Sequence, residues 1–237
     1  MSSFRFKQFE IQHDKSSLKV GTDAVLLGAW AEVKEASRIL DIGSGSGIIS
    51  LMLAQRTAAQ IVGVDVDFPS VEEATWNAEN STWKNRIQFH CTSIQQFCEE
   101  KNKNAFDLIV SNPPFFVNSL KSPFEGRNCS RHADNTLSFN DLINAVLHCL
   151  NKKGSFAVIL PFIHSQQMEN LCFQDNLFCY RKLRIRSKEG KEINRVLLQF
   201  KSEKAPLCEK DLTIRTADDC YTDTYKELTK DFYLFVK

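Results

Sequence analysis

The sequence lacks any run of apolar residues long enough to cross a membrane, and residues 1–7 contain no apolar core of a secretion signal. Its eight cysteines include no C-x-x-C pair and no Cys/His cluster with the spacing of a zinc site. These absences predict a cytoplasmic protein with reduced cysteines and no bound metal.

The sequence also lacks an excess of charge of either sign, because 30 Lys and Arg are balanced by 29 Asp and Glu, for a formal net charge of +1. This balance argues against nucleic-acid binding by the molecule as a whole and confines any such contact to a local patch. The sequence has no internal repeat or low-complexity segment. A hydrophobic share of 43% and a length of 237 residues suit one α/β domain over residues 1–237.

Strands and helices alternate through most of the chain. Apolar runs predict strands at 38–42, 60–64, 87–91, 106–111 and 155–160, and helical periodicity predicts helices at 48–56, 70–80, 138–150 and near 165–173. This alternation favours a parallel sheet covered by helices on both faces.

Two strand-like runs, at 177–186 and 193–200, break the alternation because no helix fits between them. They predict an antiparallel β-hairpin over 177–200 that belongs to the same sheet. A mainly parallel, seven-stranded sheet with one antiparallel strand resembles the class I methyltransferase fold, a Rossmann-like three-layer α/β sandwich.

A glycine-rich loop follows the first strand of the predicted sheet, with the spacing G-x-G-x-G after an acid. A dinucleotide-binding loop would have glycine or alanine at position 48, where this sequence has Ile48. A carboxylate at the loop start suits a cationic ammonium group, and an acid at the end of the second strand suits the hydroxyls of a ribose. The alternative is a tight turn in which Asp65 caps the next helix. The predicted S-adenosyl-L-methionine site comprises Asp41, Gly43, Gly45, Gly47 and Asp65, with Ser93 as a candidate for the adenine contact.

The fourth strand runs into Asn112, Pro113, Pro114 and Phe115. Ligands of open α/β sheets lie beyond the carboxyl ends of the strands, so this loop and the glycine loop are expected to share one pocket. An amide oxygen and a prolyl carbonyl accept the two N–H bonds of a planar amino group, and prolines hold such carbonyls rigidly. Phe115 offers a face for a stacked base. The four residues are therefore predicted to be catalytic, in methyl transfer to an exocyclic nitrogen.

The N-terminal 30 residues form an arm with its own pattern. Aromatic and polar residues alternate over 4–16, which predicts a short hairpin, and Thr22 or Asp23 is expected to cap a helix that runs to Trp30.

These motifs together resemble the bacterial tRNA1(Val) adenine-N6 methyltransferase family. The resemblance includes Phe6-Lys-Gln-Phe9, Lys19-Val-Gly-Thr-Asp23, Arg131-His132, Asn194-Arg-Val-Leu-Leu198 and the ending Tyr225-Lys…Asp231-Phe-Tyr-Leu. It implies methylation of the adenine at position 37 of that tRNA, with Thr22 and Asp23 close to the cofactor under the arm. The sequence departs from the common methyltransferase pattern at Ser93, where an Asp often holds the cofactor adenine.

Basic residues of the N-terminal arm, of the loop at 121–132 and of the hairpin are candidates for RNA contact. They are Lys19, Arg127, Arg131, His132, Arg184 and Arg186, and the alternatives are a solvated loop for 121–132 and a charged sheet edge for the hairpin.

The sequence thus predicts a monomeric S-adenosyl-L-methionine-dependent tRNA (adenine-N6)-methyltransferase. The alternatives are a protein-glutamine N5-methyltransferase, whose amide acceptor is activated in the same way, and an rRNA or DNA adenine methyltransferase. Phe115, together with the lack of a recognisable helical N-terminal domain, favours a base over an amide.

Overall fold

The computed structural model describes residues 3–16, 19–99, 102–114 and 137–234. The strands are β1 Ser3–Arg5, β2 Glu10–Gln12, β3 Arg38–Ile42, β4 Gln60–Asp65, β5 Ile87–Cys91, β6 Phe106–Ser111, β7 Leu150–Pro161, β8 Phe178–Lys188, β9 Ile193–Lys201 and β10 Cys208–Arg215. The helices are α1 Thr22–Trp30, α2 Ile48–Arg56, α3 Phe68–Glu79, α4 Ile94–Glu99, α5 Phe139–Cys149, α6 Ser165–Gln174 and α7 Asp223–Thr229. Short 3-10 turns occupy Lys84–Arg86 and Phe162–His164.

The main sheet has the order β10-β8-β9-β7-β6-β3-β4-β5. Only β9 is antiparallel to its neighbours in this sheet, and every other pair is parallel. The predicted class I methyltransferase sandwich is confirmed, including the single antiparallel strand in the C-terminal hairpin.

An eighth strand, β10, extends the seven-stranded sheet that the sequence predicted. It pairs in parallel with β8, from Cys208 opposite Arg181 to Arg215 opposite Lys188. Its sequence CEKDLTIR has Leu212 as its one buried residue, so it carries little of the alternation that identifies a half-buried strand. Because β10 covers β8, the interpretation of the basic hairpin strand as a sheet edge is wrong.

Two apolar cores cover the two faces of the sheet. Alternate residues of β3 belong to different cores, since Ile39 lies in one and Leu40 in the other. The first core takes its helical residues mainly from α1 and α2, and the second from α4, α5 and α6. Within α5, the buried residues follow helical spacing and form one face: Leu142, Ile143, Ala145, Val146 and Cys149.

The N-terminal hairpin is confirmed, since β1 and β2 pair antiparallel from Ser3–Gln12 to Arg5–Glu10. Two buried polar side chains of α3 bind the end of this hairpin and the residues after it. The Asn77 amide accepts from Gln12 N at 2.8 Å and donates to the carbonyl oxygens of Gln12 and Ser46, both at 2.9 Å. The Glu73 carboxylate accepts from the backbone of Lys15 and Ser16 at 2.8 and 2.9 Å. Asn77 therefore ties the arm to the glycine loop.

The start of α1 differs from the prediction. Its N-cap is Gly21, which makes no side-chain capping bond, while Thr22 and Asp23 lie in the first turn. Asp23 instead pairs with Arg195, with 2.8 Å between Oδ2 and Nε. The prediction that Thr22 or Asp23 caps α1 is therefore wrong. Local sequence could not show this, because the partner of Asp23 lies 172 residues away.

Candidate active site

The two predicted loops leave neighbouring strands at the same edge of the sheet. β3 and β6 pair in parallel, with Ile42 opposite Ser111, so their carboxyl ends lie side by side. The Ser111 hydroxyl donates to Ile42 O at 2.9 Å and links the two ends directly. The glycine loop and the Asn112 loop therefore flank one position, as the sequence predicted.

The glycine loop uses backbone conformations that L-residues rarely adopt. Gly43, Gly45 and Gly47 have φ angles of 73°, 51° and 81°. The loop is held from the second strand, because the amides of Gly43 and Ser44 donate to Val64 O at 2.9 and 3.1 Å. Side chains hold it as well, because Gly45 N donates to Asp65 Oδ2 and the Asn77 amide donates to Ser46 O.

The same loop carries unmet hydrogen-bonding capacity around open space. Asp41 Oδ1 and Ser44 Oγ are buried atoms that have no hydrogen-bond partner among the described residues. A Cβ atom added to Gly43 or Gly45 would meet nothing within 4 Å. Buried polar groups are rarely left unpaired. Unpaired acceptors beside a cradle of glycines fit a polar ligand that approaches the backbone closely.

Asp41 is an unusual acid, because its side chain is fully buried. The pKa of Asp41 is raised to about 7, chiefly by burial and to a smaller extent by the nearby Asp65. The hydrogen bond from Ser50 Oγ, at 2.7 Å from Oδ2, acts in the opposite direction and favours the ionised form. A carboxyl with this pKa changes its charge near neutral pH.

Asp65 joins the second strand to the glycine loop. Its Oδ2 accepts from Gly45 N at 2.8 Å, and its Oδ1 accepts from Asp67 N at 3.0 Å. The cap of α3 is Asp67, which accepts from Ser70 N at 3.1 Å. The alternative in which Asp65 caps this helix is therefore wrong, and Asp65 is held at the mouth of the loop.

Apolar surface beside Asp65 was missed by the sequence analysis. Val66 is 49% exposed and Phe68 is 60% exposed, although both are large hydrophobic residues. They follow β4 at the same edge as the glycine loop. Their position within three residues after the acid was the signal that could have identified them as a surface for a flat ring.

Ser93 follows β5 and caps the short helix α4, which the sequence analysis did not predict. The Ser93 hydroxyl accepts from Gln96 N at 3.2 Å. This contact uses one of its two acceptor sites. Its role towards a cofactor adenine stays a prediction.

The reaction loop leaves β6 with Asn112 half-buried, Pro113 buried and Pro114 exposed. Among the described residues, none forms a hydrogen bond with the Asn112 amide. A ligand could therefore bind this amide without displacing any described residue. Phe115 lies outside the described residues, and its predicted stacking role stays a prediction.

The predicted RNA contacts fall into two groups. Arg127, Arg131 and His132, with the rest of 121–132, lie outside the described residues. Lys19 is exposed and donates from Nζ to the carbonyl oxygens of His13 and Asp14 at 2.6 and 3.2 Å.

The two hairpin arginines are engaged with an acidic strand. Arg184 and Arg186 both pair with Asp211 of β10, at 2.7 and 3.1 Å. Neighbouring carboxylates offset their charge, so the hairpin offers less positive potential than its sequence suggested. Contact of these arginines with RNA stays a prediction.

The described residues contain no group of three or more side chains arranged to hold a metal ion. Across the same residues, no helix combines the length and apolar character needed to cross a membrane.

Comparison with known proteins identifies the family. The family model named methyltransferase small domain matches residues 15–173. A curated protein of Phocaeicola vulgatus is 43% identical over 231 residues, which cover 98% of this chain and 97% of that protein. One of Haemophilus influenzae (strain 86-028NP) is 41% identical over 236 residues, covering 99% of each. One of Bacteroides fragilis (strain YCH46) is 40% identical over 231 residues, covering 98% and 97%. All three are named tRNA1(Val) (adenine(37)-N6)-methyltransferase.

Solved structures share the fold at low sequence identity. A protein of Agrobacterium tumefaciens named as a predicted O-methyltransferase superposes with a TM-score of 0.70 at 18% identity, covering 89% of this chain and 96% of that one. TYW2 of P. horikoshii, in complex with MeSAdo, superposes with a TM-score of 0.60 at 11% identity, covering 85% and 72%. The chain therefore belongs to the methyltransferase small domain family and, within it, to the family of the tRNA1(Val) (adenine(37)-N6)-methyltransferases.

Proposed function

We propose that this protein transfers a methyl group from S-adenosyl-L-methionine to the N6 amino group of adenine 37 in tRNA1(Val). The observation that carries the proposal is the open Asn112 amide on a diproline loop, directly beside the glycine cradle at the carboxyl ends of β3 and β6. The names of relatives about 40% identical over the whole chain supply the tRNA and the position.

The residues of the glycine loop fit the methyl donor. The buried, unpaired Asp41 Oδ1 suits the ammonium group of its methionine part, and the open faces of Gly43 and Gly45 admit close approach. Asp65 at the loop mouth suits the ribose hydroxyls, and Val66 suits one face of the adenine ring. We assign cofactor binding to these residues, with Gly47, Ser93, Thr22 and Asp23 at the periphery.

The reaction loop prepares the acceptor. When bound, S-adenosyl-L-methionine supplies an electrophilic methyl group. An adenine amino nitrogen is a weak nucleophile because its lone pair is delocalised into the ring. The Asn112 side-chain oxygen and the Pro113 carbonyl accept its two N–H bonds and so aim the lone pair at the methyl carbon. The nitrogen then gains the methyl group as the methyl–sulfur bond breaks, loses one proton to solvent, and S-adenosylhomocysteine is left as the thioether product.

Methylation of total tRNA tests this proposal. The purified protein, incubated with unmodified total tRNA and tritium-labelled S-adenosyl-L-methionine, is expected to label a valine tRNA, and mass spectrometry should map N6-methyladenine to position 37. Total cell protein and rRNA serve as competing acceptors. Label in protein but not in tRNA would instead support a protein-glutamine methyltransferase, and label at another tRNA adenine would correct the position.

The raised pKa of Asp41 predicts pH-dependent cofactor binding. Below pH 7 the carboxyl gains a proton and loses its attraction for an ammonium group, because its folded-state pKa lies near 7. If only the ionised form binds, affinity for S-adenosylhomocysteine should fall about tenfold from pH 8 to pH 6, in proportion to the ionised fraction. Isothermal titration calorimetry measures this change.

Two variants sharpen the measurement. Asp41→Asn should bind more weakly at pH 8 and show little change with pH. Ser50→Ala removes the hydrogen bond that favours the ionised carboxylate, so the midpoint should move to higher pH. A pH profile of Asp41→Asn that matches the wild type would remove Asp41 from the cofactor site.

We further propose that the protein acts as a monomer in the cytoplasm, where tRNA is the available substrate. Residues 1–237 then form one catalytic domain, in which the arm over residues 1–30 packs beside the cofactor site and the hairpin at 177–200 completes the sheet.

A further inference from the structure

The 3-10 turn Phe162–His164 directly follows β7, the strand beside β6. Ser111 at the end of β6 pairs with Val158, and β7 continues three residues further to Pro161. Neighbouring strands lie about 4.8 Å apart. The turn therefore lies one strand away from the Asn112 loop and beyond the end of β6, on the side opposite the glycine cradle.

This turn exposes large apolar side chains at that edge. Ile163 is 83% exposed, the highest value among the exposed large hydrophobic residues described, and Phe162 is 37% exposed. Burial of an isoleucine side chain is favourable, so one exposed beside the reaction loop indicates a surface that a bound molecule covers during function.

The turn is braced from both sides. The His164 ring meets the Phe139 ring edge-on, with 5.7 Å between centroids, and Phe139 is the first residue of α5. Next to β7, Arg195 pairs in register with Pro161, and its guanidinium is held by Asp23 at 2.8 Å. Arg195 is 34% exposed at its side chain, and the Asp23 carboxylate offsets its positive charge.

We propose that Phe162 and Ile163 form a wedge that contacts the nucleobases flanking the target adenine and holds that adenine out of the base stack. The inference rests on the proposed function, because a base must leave its stack to reach Asn112. Apolar side chains that insert between bases are a known means of unstacking.

Loss of the wedge should weaken the use of tRNA but not of the cofactor. For Phe162→Ala/Ile163→Ala, kcat/KM for tRNA is expected to fall about 5- to 100-fold, the range for a lost stacking contact, with unchanged affinity for S-adenosylhomocysteine. Ile163→Ala alone, at a site too exposed to affect folding, should fall in the same direction by less. The matched control is Phe173→Ala/Leu207→Ala, whose residues are 63% and 47% exposed. Phe173 contacts Phe178 at the start of β8, and Leu207 precedes β10, so both lie at the opposite edge of the sheet.

A fluorescent base reports the unstacking itself. An anticodon stem-loop with 2-aminopurine at position 37 should brighten when saturating wild-type protein and S-adenosylhomocysteine are added, because the base leaves the stack. The wedge variants should give a smaller increase at saturation, and the control variant should match the wild type.

The outcomes separate the two proposals. Wild-type methylation of tRNA with unchanged kcat/KM and fluorescence in both wedge variants would overturn the wedge and leave the proposed function intact. A wild-type protein that methylates no tRNA would overturn the proposed function and the wedge with it. Equal losses in the wedge and control variants would show a general surface effect and also overturn the wedge.

Discussion

Asn112→Ala is expected to lower kcat for tRNA methylation by about 10²- to 10³-fold or more, the range for removal of one precisely placed polar group. The alanine removes the oxygen that we assign to the acceptor amino group, while the two prolines that shape the loop remain. Affinity for S-adenosylhomocysteine should stay within about twofold of the wild type, because Asn112 lies outside the glycine cradle. Single-turnover methylation and calorimetry measure the two quantities.

The control is Asn170→Ala, on the exposed surface of α6, where the amide oxygen accepts from Gln166 Nε2 at 2.9 Å. This variant should match the wild type in both measurements. If Asn112→Ala weakened cofactor binding as much as it slowed transfer, the residue would have a structural role in the pocket and no specific role towards the acceptor.

Gly45→Ala and Gly47→Ala should separate binding from folding. Both glycines have left-handed backbones, at φ 51° and 81°, so alanine costs about 1–2 kcal/mol at either position. Around Gly45 a new Cβ would meet nothing within 4 Å. The methyl group of Gly45→Ala would therefore occupy the space assigned to the cofactor, and affinity for S-adenosylhomocysteine should fall tenfold or more with a small loss of Tm.

Gly47 has the opposite surroundings. A Cβ there would lie 2.7 Å from Phe89 Cζ and 3.2 Å from Ala74 Cβ, inside the packed core. Overpacking adds about 1–3 kcal/mol to the backbone cost, so Tm should fall by about 5–15 °C. Thermal unfolding without ligand measures the effect. If Gly45→Ala were the less stable variant and bound its ligand normally, the open face of the loop would not be the cofactor site.

Local sequence was sufficient for the elements with strong apolar patterns. β3, β5, β6 and α2 have the predicted bounds, because β3, β6 and α2 are rich in apolar residues, β5 alternates, and each is followed by a glycine or polar residue. The same patterns predicted the order of strands and helices, and the class I topology follows from that order. They also located the glycine loop and Asn112 at one edge, since parallel strands share their carboxyl ends.

Weakly patterned elements escaped prediction for a physical reason. β10 is mostly polar and α4 has only six residues. The first residues of β7 were missed because Asn151-Lys-Lys-Gly154 has no apolar alternation, although the strand begins at Leu150. Such segments take their structure from the neighbours that they pair with, and local propensity does not determine those neighbours.

The sequence by itself determined the fold class, the family and the two loops that carry the chemistry, because these depend on residue type and spacing. Only the tertiary structure decided the charge and availability of particular side chains. Asp41 has a raised pKa because it is buried, Arg184 is paired because β10 lies beside β8, and Ile163 is exposed because β7 extends past its neighbour. Each of these properties depends on atoms that are distant in sequence and that meet only in the folded protein.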